Sequence, residues 1–273
     1  MALLSIDHFA KSLRLCMTCT VILPEDAPGL VGMEGKDAAG GDGRYPTLWL
    51  LHGGTDDHTI WQRRTSIERY LAPLGMAAVM PNVHLSRYAN MVHGGKYWDY
   101  LSEELPEMLE RWLPLATTRE RRYVAGLSMG GWGTFKWALN HPDRFAAAAS
   151  LSGAVRMDFK RWKDSGKKRG NRDLVYGDGD DFPYPEDRLE ERVKDHLANG
   201  TPLPRLYACC GTEDFLLEDN RVGVAKLREL GATVDYEEGP GSHNWGFWDA
   251  WIQRALRWMG FDIEPPEVGA KAK

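Results

Sequence analysis

The chain alternates between short apolar runs and segments in which apolar residues recur at helical spacing. The apolar runs predict β-strands at Leu13–Leu23, Thr47–Leu51, Ala77–Met80, Arg122–Leu127, Ala146–Leu151, Leu206–Cys210 and Thr233–Glu237. The helical patterns predict helices at Thr59–Leu71, Trp98–Trp112, Met129–Asn140, Leu217–Leu230 and Trp245–Met259. Such alternation is typical of an α/β protein with a mostly parallel central sheet and helices on both faces. Ligands of these sheets bind at the carboxyl ends of the strands, so functional residues are expected in the loops that follow them.

One segment interrupts the alternation. Residues Val155–Pro204 are polar, contain several Pro, Gly and Asp residues, and carry a single modest helical pattern at Pro185–Leu197. With 273 residues, 43% of them hydrophobic and 27% charged, the chain has the size and composition of one globular domain. We therefore expect residues 1–273 to form a single domain in which 155–204 is a polar insertion, packed near the cleft as a partial cap.

Charge and hydropathy exclude several classes of partner. The net charge is −5, and the strong basic run at residues 160–172 is followed by an acidic run at 178–181. This pattern favours a solvated surface segment over a binding site for a polyanion, so no nucleic-acid partner is predicted. The N-terminal sequence lacks the basic region of a signal peptide, and no stretch of about 18 apolar residues is present. A cytoplasmic protein without a membrane partner is expected.

The four cysteines are Cys16, Cys19, Cys209 and Cys210. The spacing of Cys16 and Cys19 is compatible with zinc or redox chemistry. However, both residues fall within a predicted strand rather than at a turn, and the other two end an apolar run. Buried free thiols are the favoured interpretation, and no metal site is predicted.

The strongest chemical motif is Gly-Leu-Ser-Met-Gly at residues 126–130, which matches G-x-S-x-G. It follows the predicted strand Arg122–Leu127 and opens the predicted helix Met129–Asn140, as the nucleophile elbow of an α/β-hydrolase fold requires. The tight turn crowds the positions two before and two after the serine, so both are glycine. Ser128 is therefore the predicted nucleophile, placed at a helix N-terminus that favours developing negative charge.

A serine hydroxyl needs a base, and this fold supplies it in the chain order Ser, then Asp or Glu, then His. Of the eight histidines, only His243 follows a late strand in a glycine-rich loop before the final helix. The acid is expected after the strand Leu206–Cys210, where Glu213 and Asp214 are both candidates and Asp214 is favoured. The acid would hold the imidazole in the required tautomer and stabilise the imidazolium.

The oxyanion of the tetrahedral intermediate needs two aligned donors. The backbone N–H of Met129, directly after the nucleophile, is one. The second is expected in the His-Gly-Gly turn after the strand Thr47–Leu51, where the Gly54 N–H is preferred and the Gly53 N–H is the alternative. His52 is expected to support this loop by hydrogen bonding rather than to perform chemistry.

These segments resemble the esterase D family, which includes S-formylglutathione hydrolases, tributyrin esterases, and feruloyl or acetyl-xylan esterase domains. The matching segments span about residues 45–260 and are Leu50–Gly54 with Trp61, Ala125–Gly131, His141–Asp143, Ala149–Gly153, Cys210–Leu216 and Gly241–Trp245. The resemblance implies an α/β-hydrolase fold, no cofactor, a triad of Ser128, Asp214 and His243, an oxyanion hole at Gly54 and Met129, and possible homo-oligomers. The Gly-Thr-Glu-Asp-Phe-Leu loop at 211–216 is more similar to the short-acyl-ester branch than to the S-formylglutathione branch.

Several of the 11 tryptophans lie beside these motifs. Trp61, Tyr97, Trp98 and Trp245 are the best candidates for lining a compact apolar pocket, although core packing is the favoured role for any single tryptophan. The favoured function is a serine carboxylesterase that hydrolyses short acyl or aryl esters through an acyl-enzyme. The alternatives are a thioesterase such as an S-formylglutathione hydrolase, an acyltransferase, or a non-catalytic binding protein on a hydrolase fold.

Overall fold

The computed structural model describes residues 1–25, 38–155, 172–179 and 181–263. Its centre is a sheet of eight strands: β1 (Ala2–Ala10), β2 (Leu15–Leu23), β3 (Thr47–Leu51), β4 (Ala77–Met80), β5 (Arg122–Leu127), β6 (Ala147–Leu151), β7 (Arg205–Gly211) and β8 (Val234–Gly239). The strand order is β1-β2-β4-β3-β5-β6-β7-β8. From β4 to β8 every neighbouring pair is parallel, whereas β1–β2 and β2–β4 are antiparallel. The prediction of a mostly parallel sheet is confirmed.

The helices are α1 (Ile60–Arg64), α2 (Ile67–Leu71), α3 (Leu105–Trp112), α4 (Met129–Asn140), α5 (Arg172–Tyr176), α6 (Leu189–Ala198), α7 (Leu217–Glu229) and α8 (Trp245–Met259). A short helical turn at Tyr97–Asp99 and a π-helical turn at Tyr100–Glu104 lead into α3. Short 3-10 turns lie at Ala72–Leu74, Arg119–Arg121 and Pro185–Asp187. No helix in the described part of the chain is long and apolar enough to cross a membrane.

Two clusters of buried apolar side chains cover the two faces of the sheet. One lies beneath α3, α4, α6 and α7, and the other beneath α1, α2 and α8. Along β5, Val124 belongs to the first cluster, whereas Ala125 and Leu127 belong to the second. Because strand side chains alternate between faces, a strand buried on both sides appears in the sequence as an unbroken apolar run.

The parallel registers bring the carboxyl ends of six strands, β3 to β8, to one edge of the sheet. Leu51 pairs with Gly126 at the ends of β3 and β5, and Gly211 pairs with Gly239 at the ends of β7 and β8. The loops after these strands carry all the residues predicted for catalysis, so the topology places them together.

The structure differs from the prediction at three places. The edge strand β1 was not predicted; it pairs with β2 over its whole length, from Ala2 to Ala10, and its apolar residues follow no clean alternation. The helix predicted at Thr59–Leu71 is two helices, because the backbone of Thr65 is extended and its hydroxyl bonds the Trp61 carbonyl and the Ile67 N–H. The short α5 in the predicted insertion was also missed.

The cysteine prediction was wrong for one residue. Cys16 is exposed on β2, whereas Cys19, Cys209 and Cys210 are buried. Burial raises the pKa of the Cys19 thiol to about 12. Residues three apart in a strand point to opposite faces, so Cys16 and Cys19 do not converge on one ion.

Part of the predicted insertion lies outside the described residues. This holds for residues 156–171 and 180, and therefore for all but the last residue of the basic run at 160–172 and for one residue of the acidic run at 178–181. The described remainder contains α5, the turn at Pro185–Asp187 and α6. It is joined to α4 by a fully buried ion pair in which Lys136 Nζ lies 2.7 Å from Asp187 Oδ1.

Candidate active site

Ser128 occupies a strained turn between β5 and α4. Its φ is +52° and its ψ −117°, a backbone conformation that residues with a Cβ rarely adopt. A Cβ on Gly126 would lie 2.4 Å from the Gly130 carbonyl oxygen, and one on Gly130 would lie 2.3 Å from the Leu51 carbonyl oxygen. Only glycine fits at these two positions, which confirms the steric reasoning behind the elbow motif.

His243 and Asp214 reach Ser128 from two other loops. His243 Nε2 lies 2.9 Å from Ser128 Oγ, and His243 Nδ1 lies 2.9 Å from Asp214 Oδ2. A carboxylate only accepts hydrogen bonds, so the proton of the neutral imidazole sits on Nδ1. Nε2 is then free to accept the proton of the serine hydroxyl. The three side chains form one continuous hydrogen-bonded chain.

The Asp214 side chain is fully buried. Burial raises the pKa of its carboxyl. Hydrogen bonds from His243, the Leu216 N–H and Ser152, together with the charge of His243, outweigh this effect and lower the pKa below the ordinary 3.8. The Leu216 N–H donates to Oδ1 at 2.8 Å, which fixes the orientation of the carboxylate. Asp214 is therefore ionised at neutral pH and rigidly aimed at the imidazole.

Glu213, the alternative acid, makes different contacts. Its carboxylate accepts the Gly241 N–H at 2.6 Å, and its own N–H donates to the Gly241 carbonyl at 3.0 Å. These bonds tie the loop that carries Asp214 to the loop that carries His243. The bond from the Gly241 N–H also lowers the pKa of the Glu213 carboxyl. Glu213 contacts the backbone of the histidine loop rather than the imidazole.

The His-Gly-Gly turn lies beside the nucleophile. A Cβ on Gly53 would be 3.6 Å from the Ser128 Cβ, whereas Gly54 is exposed. Burial raises the pKa of the Asp56 carboxyl, and the Gly53 N–H, which is turned toward that carboxyl, partly offsets the rise. The Gly53 N–H is thereby engaged by the Asp56 carboxyl, which supports the Gly54 N–H as the second oxyanion donor, and that role stays a prediction.

His52 holds this turn in place. Its ring is 1% exposed, and its Nε2 accepts the Val83 N–H at 3.0 Å. The ring proton therefore sits on Nδ1, which donates to the Gly53 carbonyl at 2.7 Å. Because a trans peptide directs its C=O and N–H to opposite sides, holding the Gly53 carbonyl also fixes the direction of the Gly54 N–H. Burial lowers the pKa of His52 to about 4, so the ring is neutral.

Neighbouring donors restrain the other carbonyls of the turn. The Tyr88 hydroxyl donates to the His52 carbonyl at 2.7 Å, and the Trp61 indole N–H donates to the Leu51 carbonyl at 3.1 Å. Sequence reasoning missed Tyr88 and Val83, which lie in an irregular segment after β4 without any motif. Their contacts explain why the turn is rigid, which catalysis by fixed dipoles requires.

The four predicted pocket aromatics occupy different places. Trp61 is 1% exposed and packs edge-on against the half-buried Trp245, with ring centroids 5.3 Å apart. The hydroxyl of the buried Tyr97 lies 2.9 Å from His84 Nδ1. Trp98 is buried, and its ring centroid lies 4.6 Å from Lys136 Nζ. Lys136 follows Ser128 by eight residues, which is about 12 Å along α4. The geometry supports Trp98 least, and substrate contact by the other three stays a prediction.

Two other aromatic rings contact the imidazole directly. The ring centroid of His243 lies 4.9 Å from that of Trp248 and 4.5 Å from that of Phe215. Trp248 is buried, but Phe215 is 70% exposed. Phe215 follows Asp214 in the chain, and neither its position nor its residue type predicts this exposure.

The described part of the chain contains no cluster of potential metal ligands. No group of three or more His, Cys, Asp or Glu side chains is arranged there to hold an ion.

A family of known proteins matches most of the chain. The family model, described as a putative esterase, matches residues 17–259. An acetyl esterase from Caldicellulosiruptor saccharolyticus is 27% identical over 265 residues, which cover 95% of this chain and 98% of the relative.

Solved structures give a consistent result. FphF from Staphylococcus aureus, described as a fluorophosphonate-binding serine hydrolase, is 33% identical and superposes with a TM-score of 0.82 over 96% of this chain and 99% of its own. An S-formylglutathione hydrolase (FrmB) from the same organism is also 33% identical, with a TM-score of 0.79 over 94% of this chain and 98% of its own. Both the architecture and the sequence therefore agree with those of known hydrolases.

Proposed function

Because the chain belongs to the putative esterase family and is a carboxylic ester hydrolase, we propose that it hydrolyses short acyl or aryl esters through a triad of Ser128, His243 and Asp214. The observation that carries this proposal is the unbroken hydrogen-bonded chain from the buried Asp214 carboxylate through His243 to the Ser128 hydroxyl. A glycine-rich turn without this chain would supply no base, and the hydroxyl would stay a weak nucleophile.

The first half of the reaction acylates the enzyme. Ser128 Oγ attacks the ester carbonyl while His243 Nε2 takes the hydroxyl proton. The bond from Oγ to the acyl carbon forms, and the bond from that carbon to the leaving oxygen breaks. His243 returns the proton to the leaving oxygen, so a neutral alcohol departs. Asp214 stabilises the imidazolium and keeps the Nδ1 proton in place.

The charge that develops on the carbonyl oxygen meets two backbone donors, the N–H groups of Met129 and Gly54. The first lies at the N-terminus of α4, where the helix dipole adds to the attraction. The second is oriented by the bond from His52 to the Gly53 carbonyl.

The second half releases the acid. Water enters the position that the alcohol has left and gives a proton to His243 as it attacks the acyl carbon. The same donors hold the second oxyanion, and Ser128 regains its proton when the acyl bond breaks.

A second candidate, within the same chemistry, is hydrolysis of an S-formylglutathione-like thioester. The 33% identity to FrmB favours it. A thiolate is a better leaving group than an alkoxide, so proton return to the leaving atom would matter less. The rates on an alkyl acetate and on S-formylglutathione, compared at equal enzyme concentration, separate the two candidates.

One contact in the described part of the insertion supports the view that the insertion borders the candidate active site. Phe182 stacks on Trp132, which lies one turn after Ser128 in α4, with ring centroids 6.5 Å apart. We propose that residues 155–204 form a partial cap on a single-domain hydrolase. The contact between Phe182 and Trp132 supports this proposal, because Trp132 lies in the first turn of the helix that follows Ser128.

Mass spectrometry after brief exposure to a fluorophosphonate or to p-nitrophenyl acetate tests the triad. The expected result is one covalent adduct on the peptide that contains Ser128, absent in Ser128→Ala. Ser5→Ala, which removes an exposed hydroxyl on the distant strand β1, is the matched control and should label like the wild type. Labelling that persists in Ser128→Ala, or no labelling of the wild type, would contradict the proposal.

A further inference from the structure

Phe215 is the most exposed large apolar side chain among the described residues, at 70%. Its ring nevertheless lies against the catalytic base, with centroids 4.5 Å apart and planes inclined by 50°. A large ring left in water gives up the free energy that burial would provide. Single exposed apolar side chains are common on protein surfaces. Phe215 differs because its exposed ring also lies against His243, where a bound substrate can cover it.

The position of the ring is determined by its neighbours in the chain. The Asp214 N–H donates to the Gly211 carbonyl at 3.1 Å, and the Leu217 N–H donates to the Asp214 carbonyl at 3.0 Å. The Leu216 N–H is held by the Asp214 carboxylate. Backbone bonds thus fix the chain on both sides of Phe215, and the loop presents the ring beside His243 rather than letting it fold into the core.

The role of His243 as the base indicates which part of a substrate lies beside Phe215. His243 Nε2, 2.9 Å from Ser128 Oγ, must also come within hydrogen-bonding distance of the leaving oxygen to protonate it. The atoms attached to that oxygen then lie beside the imidazole. On one side the imidazole contacts Trp248, which is only 5% exposed and leaves almost no surface for a substrate to cover. Phe215 is the contacting ring that remains open.

We propose that Phe215 is a specificity-determining residue that binds the alcohol half of the substrate, and that this half is apolar, an aryl or alkyl group. The proposal rests on the serine-esterase function proposed above and assigns the leaving-group side of that site. The leaving alcohol is present only until its bond to the acyl carbon breaks. Phe215 therefore acts on formation of the acyl-enzyme and not on its hydrolysis.

The test uses three acetates that share one acyl group, namely methyl, phenyl and 2-naphthyl acetate. For each ester, kcat/KM of a variant is divided by that of the wild type, so the intrinsic reactivity of the alcohol cancels. The variants are Phe215→Ala and Phe215→Leu. Phe9→Ala is the matched control, because Phe9 is 58% exposed on β1, at the far edge of the sheet from β7 and β8.

For Phe215→Ala we expect kcat/KM to fall about 2- to 12-fold on the phenyl and naphthyl esters, the size of one lost aromatic contact. Methyl acetate, whose alcohol is too small to cover the ring, should change by less than about twofold on the same scale. Phe215→Leu should lie between the alanine variant and the wild type. The rate constant for hydrolysis of the acetyl-enzyme, common to all three esters, should not change, and Phe9→Ala should behave as the wild type.

An equal loss on all three esters, together with slower hydrolysis of the acetyl-enzyme, would overturn the proposal, because it would place the effect of Phe215 on His243. No loss on any ester would also overturn it. A wild type that forms no acetyl-enzyme would show instead that the proposed function itself has failed, and this result is visible before any variant is measured.

Discussion

Replacing His52 tests whether a buried, non-reacting side chain sets both the oxyanion hole and the pH range of stability. The ordinary pKa of histidine is 6.5, and burial lowers that of His52 to about 4. Between these values the unfolded chain binds a proton that the folded protein does not. The contribution to stability is therefore complete above about pH 6.5 and is lost as the pH falls to about 4. At about 1.4 kcal/mol for each tenfold change in proton affinity, the loss is about 3 kcal/mol.

Two replacements separate the two hydrogen bonds of the ring. In His52→Asn the amide nitrogen takes the place of Nδ1 and continues to donate to the Gly53 carbonyl. The buried Val83 N–H loses its acceptor, which costs about 1–3 kcal/mol of unfolding free energy. In His52→Gln the side-chain amide takes the place of Nε2, so the bond to Val83 is kept and the bond to Gly53 is lost.

The expected phenotypes therefore differ. His52→Asn should be less stable but should acylate at a rate within a few-fold of the wild type. His52→Gln should keep more stability but acylate about 10- to 100-fold more slowly, since complete removal of one oxyanion donor costs roughly 10²–10³. Both variants lack the titrating ring, so neither should show the extra loss of about 3 kcal/mol at low pH.

Urea denaturation at about pH 7 and about pH 4.5 measures the stability difference. The pre-steady-state burst with p-nitrophenyl acetate measures acylation. Tyr123→Phe is the control: it removes a hydroxyl that bonds the Glu120 carbonyl at the start of β5, away from the turn, and should cost about 1 kcal/mol or less with no change in the burst rate.

Two results would refute the reasoning. One is a normal burst rate in His52→Gln under conditions where the variant is folded, since the Gly54 N–H would then not depend on this bond. The other is an equal loss of stability at low pH in the wild type and in both variants, since another group would then be responsible.

Three further predictions concern the support of the site. Asp214→Asn should lower kcat by about 10³–10⁴, the loss expected when an amide selects the wrong tautomer of His243, and burst kinetics check it. Glu213→Gln should keep the fold and lower kcat/KM a few-fold by loosening the contact between the acid and base loops; a fall as large as that of Asp214→Asn would make Glu213 the acid. Lys136→Met should lower the free energy of unfolding by about 3–5 kcal/mol, because it leaves the Asp187 carboxylate buried without its cation. The double variant that also carries Asp187→Leu should regain much of this free energy, and urea denaturation measures both variants.

Local patterns in the sequence were enough to predict many of the strands and helices of the fold. The bounds of β3, β4, β5, α4 and α8 agree with those predicted, because these elements are buried runs or have strong helical periodicity. The edge strand β1 was missed because its stability comes from pairing with β2 rather than from its own pattern. The break in the helix predicted at Thr59–Leu71 was missed because a single threonine hydroxyl competes for backbone groups there.

The residues of the candidate site also fall into two groups, those that the sequence could predict and those that needed the structure. Ser128 could be predicted because the turn that holds it imposes glycine at fixed offsets, and His243 because the chain order of the fold leaves no other histidine in a suitable loop. The sequence favoured Asp214 and left Glu213 open as the alternative, and only the structure shows the directions of the two carboxylates. Two adjacent carboxylates differ only in direction, and one faces the imidazole while the other faces the backbone of Gly241.

The sequence by itself determined the fold class and predicted the candidate nucleophile and base, because steric limits and periodicity act between residues close in the chain. Only the tertiary structure decided which side chain holds the Gly53 carbonyl, which carboxylate faces the imidazole of His243 and which aromatic ring is left open beside it. The contacts of Val83 with His52 and of Phe215 with His243 join residues about 30 positions apart. Their geometry depends on the packing of the whole sheet, and no local pattern in the chain encodes it.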